Sequence, residues 1–215
     1  NGVQNQSVLY VQEGLKGEPK ILLDPNTMDA AGTTSLGGTS VREDGKYMAY
    51  SISKSGSDWT QICVMELESG KYLNDTINWV KFSGASWKGD GFYYSAYPAP
   101  TDGHTYSNKN ENNKVYYHKL GTKQSEDKGI SEDAKHPFWR FGIDISDNGK
   151  VGALYTTEST SGNGLKLKNL AKNGAWKDVD TSFSSDYSII EYLDDNSVLV
   201  STNNGAPKNR VVKID

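Results

Sequence analysis

One short pattern occurs four times along the chain: an alternating apolar run, then an acidic or amide residue followed by Gly or Asn, then a second alternating run. Its turn pairs are Asp44-Gly45, Asp90-Gly91, Asn148-Gly149 and Asp195-Asn196. This pattern predicts β-hairpins, and we expect type I′ turns, in which both central residues have positive φ. The copies lie 46, 58 and 47 residues apart. A repeat of about 40–50 residues with about four strands is typical of a β-propeller blade.

The alternation predicts strands that group into an initial pair, three sets of four and a final set of three. They are Ser7–Gln12 and Lys20–Leu23; Gly38–Arg42, Lys46–Ile52, Thr60–Glu68 and Lys71–Leu73; Val80–Trp87, Phe92–Tyr97, Lys114–Leu120 and Glu126–Ile130; Arg140–Ser146, Lys150–Thr156, Gly164–Leu170 and Trp176–Val179; Tyr187–Leu193, Ser197–Thr202 and Arg210–Ile214. These sets do not close a ring of four-stranded blades. We therefore expect an all-β fold in which residues 1–215 form one partial propeller, an internal piece of a larger protein.

One interval exceeds the repeat by about twelve residues. The excess falls at Thr101–Asn113, which is polar and turn-rich and has no apolar periodicity. It predicts a surface loop or lid, for which a tolerated insertion is at least as good an explanation as a functional role.

Composition narrows the classes of partner. The net charge is −4 with both signs interspersed, so no basic stripe indicates nucleic acid. No apolar run approaches the roughly 18 residues of a membrane helix, so we expect no membrane partner. Cys63 is the single cysteine, which excludes an internal disulfide and is best explained as a buried structural thiol.

The residues suggest no catalytic centre within the chain. The three histidines, His104, His118 and His136, have no recognisable catalytic setting, and we expect them on the surface or in turns. Their spacing does not suit a zinc site, so neither a metal nor another cofactor is predicted. The acidic run Ser125–Asp127 is interpreted as a solvated strand end. The five tryptophans are more consistent with core packing than with ligand contact.

Several strings resemble one peptidase family, in order and over nearly the whole chain. They are NQSVLYVQ (Asn5–Gln12), LLDPNT (Leu22–Thr27), EDGKYMAYSISKSGSDW (Glu43–Trp59), WVKFSGASW (Trp79–Trp87), KVYYHKLGTKQSED (Lys114–Asp127) and TNNGAPKNRVVKID (Thr202–Asp215). The chain is similar to the β-propeller domain of the prolyl oligopeptidase family.

The resemblance implies a serine peptidase that cleaves short peptides after proline, with its Ser, Asp and His triad in a separate α/β-hydrolase domain. It further implies a seven-bladed propeller that caps that domain and admits only short peptides, so about four of seven blades would be present here. No G-x-S-x-G nucleophile motif occurs in these 215 residues. We therefore expect this chain alone to be inactive, with the hydrolase domain and short proline-containing peptides as its partners.

The resemblance also points to substrate-binding positions. Phe82, in the string KFSG, matches a phenylalanine that lines the apolar side of the family's substrate pocket. Arg140 stands where animal members carry a methionine, and Thr157 and Thr160 stand where they carry an arginine and a cysteine. These departures leave the detailed preference of the pocket open.

Two other functions fit the sequence. A stand-alone propeller-like module that binds proteins or peptides needs no hydrolase domain. An incomplete propeller that closes by oligomerisation is a further possibility. The single cysteine permits the cytoplasm or a bacterial periplasm. The Asn- and Lys-rich loops favour a bacterial source, for which the family resemblance implies export to the periplasm.

Overall fold

The computed structural model describes residues 4–100, 109–172 and 174–215. Nearly all regular structure in these ranges is antiparallel β-sheet, with two short 3₁₀ turns at Pro25–Thr27 and Gln124–Glu126. In this part of the chain no helix is long and apolar enough to cross a membrane. The chain divides into two compact units, Asn1–Ala85 and Ser86–Asp215.

The first unit contains a two-stranded sheet and a four-stranded sheet, each with its strands in chain order. Its strands are β1 (Leu9–Val11), β2 (Lys20–Leu23), β3 (Thr34–Val41), β4 (Tyr47–Lys54), β5 (Thr60–Glu66) and β6 (Tyr72–Val80). Its core consists of buried Leu23, Met48, Tyr50 and Met65. Met48 and Tyr50 alternate along β4, so the core-facing side of that strand follows the period of two that the sequence shows.

The second unit contains two four-stranded sheets and one three-stranded sheet. Its strands are β7 (Ser86–Lys88), β8 (Gly91–Ala96), β9 (Lys114–Lys119), β10 (Lys128–Ser131), β11 (Arg140–Ile145), β12 (Val151–Thr157), β13 (Gly164–Asn169), β14 (Lys177–Asp180), β15 (Tyr187–Tyr192), β16 (Val198–Thr202) and β17 (Arg210–Ile214). Apolar side chains of β12, β13, β15 and β16 form one core cluster. Up-and-down sheets of about four strands that pack face to face in this way are propeller blades, as predicted.

The four repeated hairpins are present, but the predicted turn type is wrong. Gly45, Gly149 and Asn196 have φ of 68°, 67° and 66°, whereas the residues before them do not have positive φ. Each donates its backbone N–H to a carbonyl three residues earlier. This is the pattern of a type I turn followed by one left-handed residue. In the remaining hairpin, which contains Asp90-Gly91, the left-handed residue is Gly89, at φ 61°. Gly89 is the first central position of a type II′ turn.

A local side-chain bond explains why Asp or Asn recurs in these turns. Asp44, Asn148 and Asp195 each accept the backbone N–H two residues further on, at 3.1, 3.0 and 3.0 Å. Such Asx turns stabilise the chain reversal from within. The repeat therefore conserves a self-contained turn, and the mechanism differs from the one that the sequence suggested.

Two strand predictions were wrong at the end of the first four-stranded sheet. We expected Lys71–Leu73 to be a short strand and Val80–Trp87 to be the next one. Instead β6 continues to Val80, and β7 begins only at Ser86. The predicted strand ended just before the polar pair Asn74-Asp75, yet Asp75 is only 5% exposed and lies within β6. Residues 81–85 are consequently a connector between β6 and β7.

The expectation was also wrong for His118 and for Asp127, whereas Ser125 and Glu126 of the acidic run are exposed as expected. His118, on β9, is fully buried, and its Nδ1 lies 2.7 Å from Asp127 Oδ1. Tyr94 Oη donates to Asp127 Oδ2 at 2.6 Å, and the Asp127 side chain is only 2% exposed. We name these three residues the buried triad; they join β8, β9 and the segment before β10. His136 lies exposed in a turn, as expected, and His104 lies outside the described residues.

Candidate functional site

Phe82 lies in the connector that follows β6 and points its ring into solvent. The residue is 76% exposed. Its φ of 55° is in the left-handed region, where a phenylalanine costs roughly 1–3 kcal/mol. Burial of the ring does not offset that cost, so the conformation is a candidate for a functional constraint.

The residues just before Phe82 are held firmly by the sheet. Val80 is fully buried, and its carbonyl accepts the Thr60 hydroxyl at 3.2 Å. Trp79 occupies a bulge in β6 and has φ of 60°. Its ring meets the Trp59 ring edge-on, with centroids 5.7 Å apart and planes at 89°. The connector therefore starts from a fixed point.

Lys81 lies between these aromatics and Phe82. Its Nζ lies 4.1 Å from the centroid of the Trp59 ring. A Lys ammonium at this distance over Trp makes a favourable cation–π contact. The side chain that immediately precedes Phe82 thus packs on the Trp59 ring, next to the start of β5.

Arg140 and Thr157 lie in the second unit, and the fold brings them together. Arg140 begins β11, Thr157 ends β12, and the two are direct cross-strand partners. The guanidinium Nη2 of Arg140 donates to the Ser159 carbonyl at 3.0 Å. Arg140 therefore holds the start of the loop that leaves β12.

Thr160 lies in that loop, between β12 and β13, and is exposed. The Ser159 hydroxyl donates to the Ser161 carbonyl at 2.9 Å, which closes a tight turn around Thr160. Gly162 ends the loop at φ 73°, and a Cβ there would meet the Phe183 carbonyl oxygen at 1.9 Å. Only glycine fits at this point, so the loop has a fixed exit.

An aromatic group beside Arg140 was missed from the sequence. The His136 ring stacks on the Trp139 ring, with centroids 3.9 Å apart and planes at 9°. The Phe183 ring also contacts Trp139, with centroids 5.0 Å apart. Trp139 Nε1 donates to Glu158 at 3.2 Å. Phe183 has φ of 56° and lies four residues before its inner strand, as Phe82 does before β7. Aligning the repeats on β7 and β15, the first strands of their sheets, would have identified this second phenylalanine before a first strand.

The remaining candidate groups do not form a reactive centre. In the part of the chain that the structure describes, no group of three or more His, Cys, Asp or Glu side chains could hold a metal ion. Burial raises the pKa of the Cys63 thiol, which disfavours its reactive thiolate form.

Comparison with protein families identifies the domain. The family model for the prolyl oligopeptidase N-terminal β-propeller domain matches residues 1–215. The prolyl endopeptidase of Elizabethkingia meningoseptica is 39% identical over 214 residues, which are 99% of this chain and 30% of that protein. The dual function macrocyclase-peptidase POPB of Galerina marginata is 33% identical and is matched by the whole chain over 33% of its length. The chain thus spans about a third of the length of these relatives.

Solved structures agree with this assignment. A prolyl endopeptidase studied for the role of inter-domain dynamics in catalysis and specificity superposes with a TM-score of 0.87 at 28% identity, over 100% of this chain and 31% of that one. Prolyl oligopeptidase B from Galerina marginata, bound to a 35mer hydrolysis and macrocyclization substrate, gives a TM-score of 0.86 at 32% identity, over 99% of this chain and 33% of that one. The chain therefore belongs to the prolyl oligopeptidase family, and its residues match that family's N-terminal β-propeller domain.

Proposed function

We propose that this propeller domain restricts access to, and forms part of the substrate wall of, a serine peptidase that cleaves short peptides after proline. The observation that carries the proposal is the match of the family's propeller model to all 215 residues. The hydrolysis would proceed in an α/β-hydrolase domain, where a Ser attacks, a His relays the proton and backbone amides hold the oxyanion. The propeller contributes size selection and contacts to the peptide upstream of the proline.

Within that wall, we assign Phe82 the apolar contact. Its backbone is in the left-handed region, and its ring is exposed. Packing a peptide side chain against the ring would therefore remove apolar surface from water. Arg140 and Thr157 provide a polar contact instead. A guanidinium has five N–H donors, so Arg140 can donate to a peptide carbonyl while its Nη2 keeps the Ser159 carbonyl. Thr160, next to that carbonyl in sequence, presents a hydroxyl.

Activity assays on two forms of the protein test the main proposal. A short chromogenic peptide with proline before the scissile bond is offered to the full-length protein and to the 215-residue chain. We expect turnover by the full-length protein only, falling steeply as the peptide is lengthened. Turnover by the highly purified 215-residue chain would contradict the proposal. A full-length protein without a hydrolase domain that still binds peptides would favour the stand-alone binding module.

Kinetics of two variants test the site assignment. Phe82→Ala should raise KM for peptides with a large apolar residue upstream of proline and leave kcat unchanged, because the lost contact is made equally in the ground and transition states. Arg140→Met should raise KM for all peptides alike, since a backbone contact does not depend on the side chain. Unchanged KM in both variants would remove these residues from the wall.

A further inference from the structure

Phe82 and Trp79 form an unusual pair, because two aromatic residues within four positions both adopt left-handed backbone conformations. Their φ values are 55° and 60°. Such conformations persist only where the surrounding structure over-determines them. The contacts of Trp79 provide this at one end, since its ring packs on Trp59 and the next residue, Val80, is fully buried.

The contacts of Lys81 extend the constraint to Phe82. The ammonium lies 4.1 Å from the centroid of the Trp59 ring, so the Lys81 side chain runs back along the sheet while the chain continues to Phe82. Gln61 Nε2 donates to Asn78 Oδ1 at 2.6 Å, which fixes the residue before the Trp79 bulge. Both ends of the Asn78–Lys81 segment are thus tied to β5 or its flanking residue.

We propose that Trp59 and Lys81 are positioning residues, which hold the connector so that the Phe82 ring stands ready in solvent for an apolar side chain of the substrate peptide. Pre-ordering a contact residue increases affinity because less conformational freedom is lost on binding. The substrate part of this inference rests on the proposed function. The positioning itself is a property of the domain and is measurable without any substrate.

Phe183 supplies the comparison that supports this role. It occupies the equivalent position before its inner strand and has nearly the same φ, 56°. Its ring, however, lies 5.0 Å from the Trp139 ring, and its side chain is partly buried. The same left-handed backbone therefore packs the ring of Phe183 against Trp139 and leaves the ring of Phe82 exposed.

A spectroscopic measurement tests the positioning. 4-Fluorophenylalanine is placed at position 82 of the full-length protein by codon reassignment, and the fluorine linewidth is recorded without peptide. We expect the line to narrow in Lys81→Met and to stay broad in Lys81→Arg, which keeps the cation. Lys168→Met is the matched control, because Lys168 Nζ lies 5.8 Å from the centroid of the Trp176 ring, in the second unit. This substitution should leave the fluorine linewidth unchanged. An unchanged line in Lys81→Met overturns the inference.

Kinetics with paired peptides test its consequence. The two peptides carry Phe or Gly at the upstream position that meets Phe82. Lys81→Met should raise KM for the Phe peptide by about two- to five-fold, with kcat and the Gly peptide unaffected. In a Phe82→Ala background the same change should have no effect, since Lys81 acts through that ring. An effect on both peptides, or one that persists without Phe82, overturns the inference.

The two proposals fail in distinguishable ways. Absence of prolyl hydrolysis by the wild-type protein overturns the proposed function, while the fluorine linewidth still decides whether Lys81 positions Phe82. Normal hydrolysis with no linewidth change retains the peptidase and rejects the positioning role.

Discussion

Replacing Asp127 by Ala should destabilise the β7–β10 sheet much more than removal of an exposed carboxyl group does. Asp127 accepts from Tyr94 at 2.6 Å and pairs with the His118 ring nitrogen at 2.7 Å. Tyr94 is 1% exposed and His118 is fully buried. The substitution removes an acceptor from both groups in a place from which water is excluded.

The magnitude follows from counting the groups affected. Each buried polar group that loses its partner costs about 1–3 kcal/mol, so Asp127→Ala should cost about 2–6 kcal/mol if the two losses are independent. Tyr94→Phe keeps the ring and removes one hydroxyl, so it should cost about 1–3 kcal/mol. The control is Asp178→Ala, whose ion pair with Lys166 spans 3.1 Å and whose side chain is 62% exposed. An exposed pair of this kind contributes below about 1 kcal/mol.

Native-state hydrogen exchange measured by mass spectrometry localises the effect. A loss of about 2 kcal/mol corresponds to roughly 30-fold faster exchange through local opening of β8, β9 and β10. Peptides from β15–β17, in another sheet, should exchange at the wild-type rate. Equal protection in Asp127→Ala and Asp178→Ala would refute the reasoning, because the buried triad would then contribute no more to stability than an exposed ion pair does.

Three further outcomes follow from the geometry. Gly162→Ala should cost at least about 1–3 kcal/mol more than Gly205→Ala in urea unfolding, because both positions have positive φ but only the first places its Cβ against a carbonyl. Phe183→Ala should lose about 0.5–1.5 kcal/mol of aromatic packing, whereas Phe82→Ala should change stability by less than about 0.5 kcal/mol; equal losses would contradict the difference in ring burial. Burial, followed by the Asp127 hydrogen bond, raises the pKa of Tyr94, so stability should be retained to about pH 10 and fall as the pH rises further. A Tyr94→Phe variant should show a weaker alkaline loss in pH-dependent unfolding.

The sequence was sufficient for the sheets, because period-two alternation and regularly spaced turns are local signals. It failed where local polarity and tertiary burial disagree. Asn74-Asp75 looked like the end of a strand, but β6 buries Asp75 and continues to Val80. The turn type was missed because Asp-Gly suits more than one hairpin geometry, and the loop length selects among them.

The candidate site was predictable only in part. Phe82 was proposed from its string, yet its left-handed backbone could not be anticipated from that string, since phenylalanine rarely adopts positive φ. The pairing of His118 with Asp127 joins β9 to the residue that precedes β10, and no sequence motif indicates it. The pairing of Arg140 with Thr157 depends on strand register, which the hairpin between them sets.

The Asx turn at Asn148-Gly149 has a consequence for chemical ageing. Deamidation of an Asn-Gly pair proceeds when the glycine nitrogen attacks the asparagine side chain to form a succinimide. Here the Gly149 N–H is engaged with the Ser146 carbonyl at 2.7 Å, and Asn148 Oδ1 accepts from both Ser146 Oγ and Lys150 N. These bonds oppose the rotation that the attack requires. Asn148 should therefore deamidate slowly in the folded domain and rapidly once the hairpin opens. The extent of its deamidation during storage would then measure how often that hairpin opens.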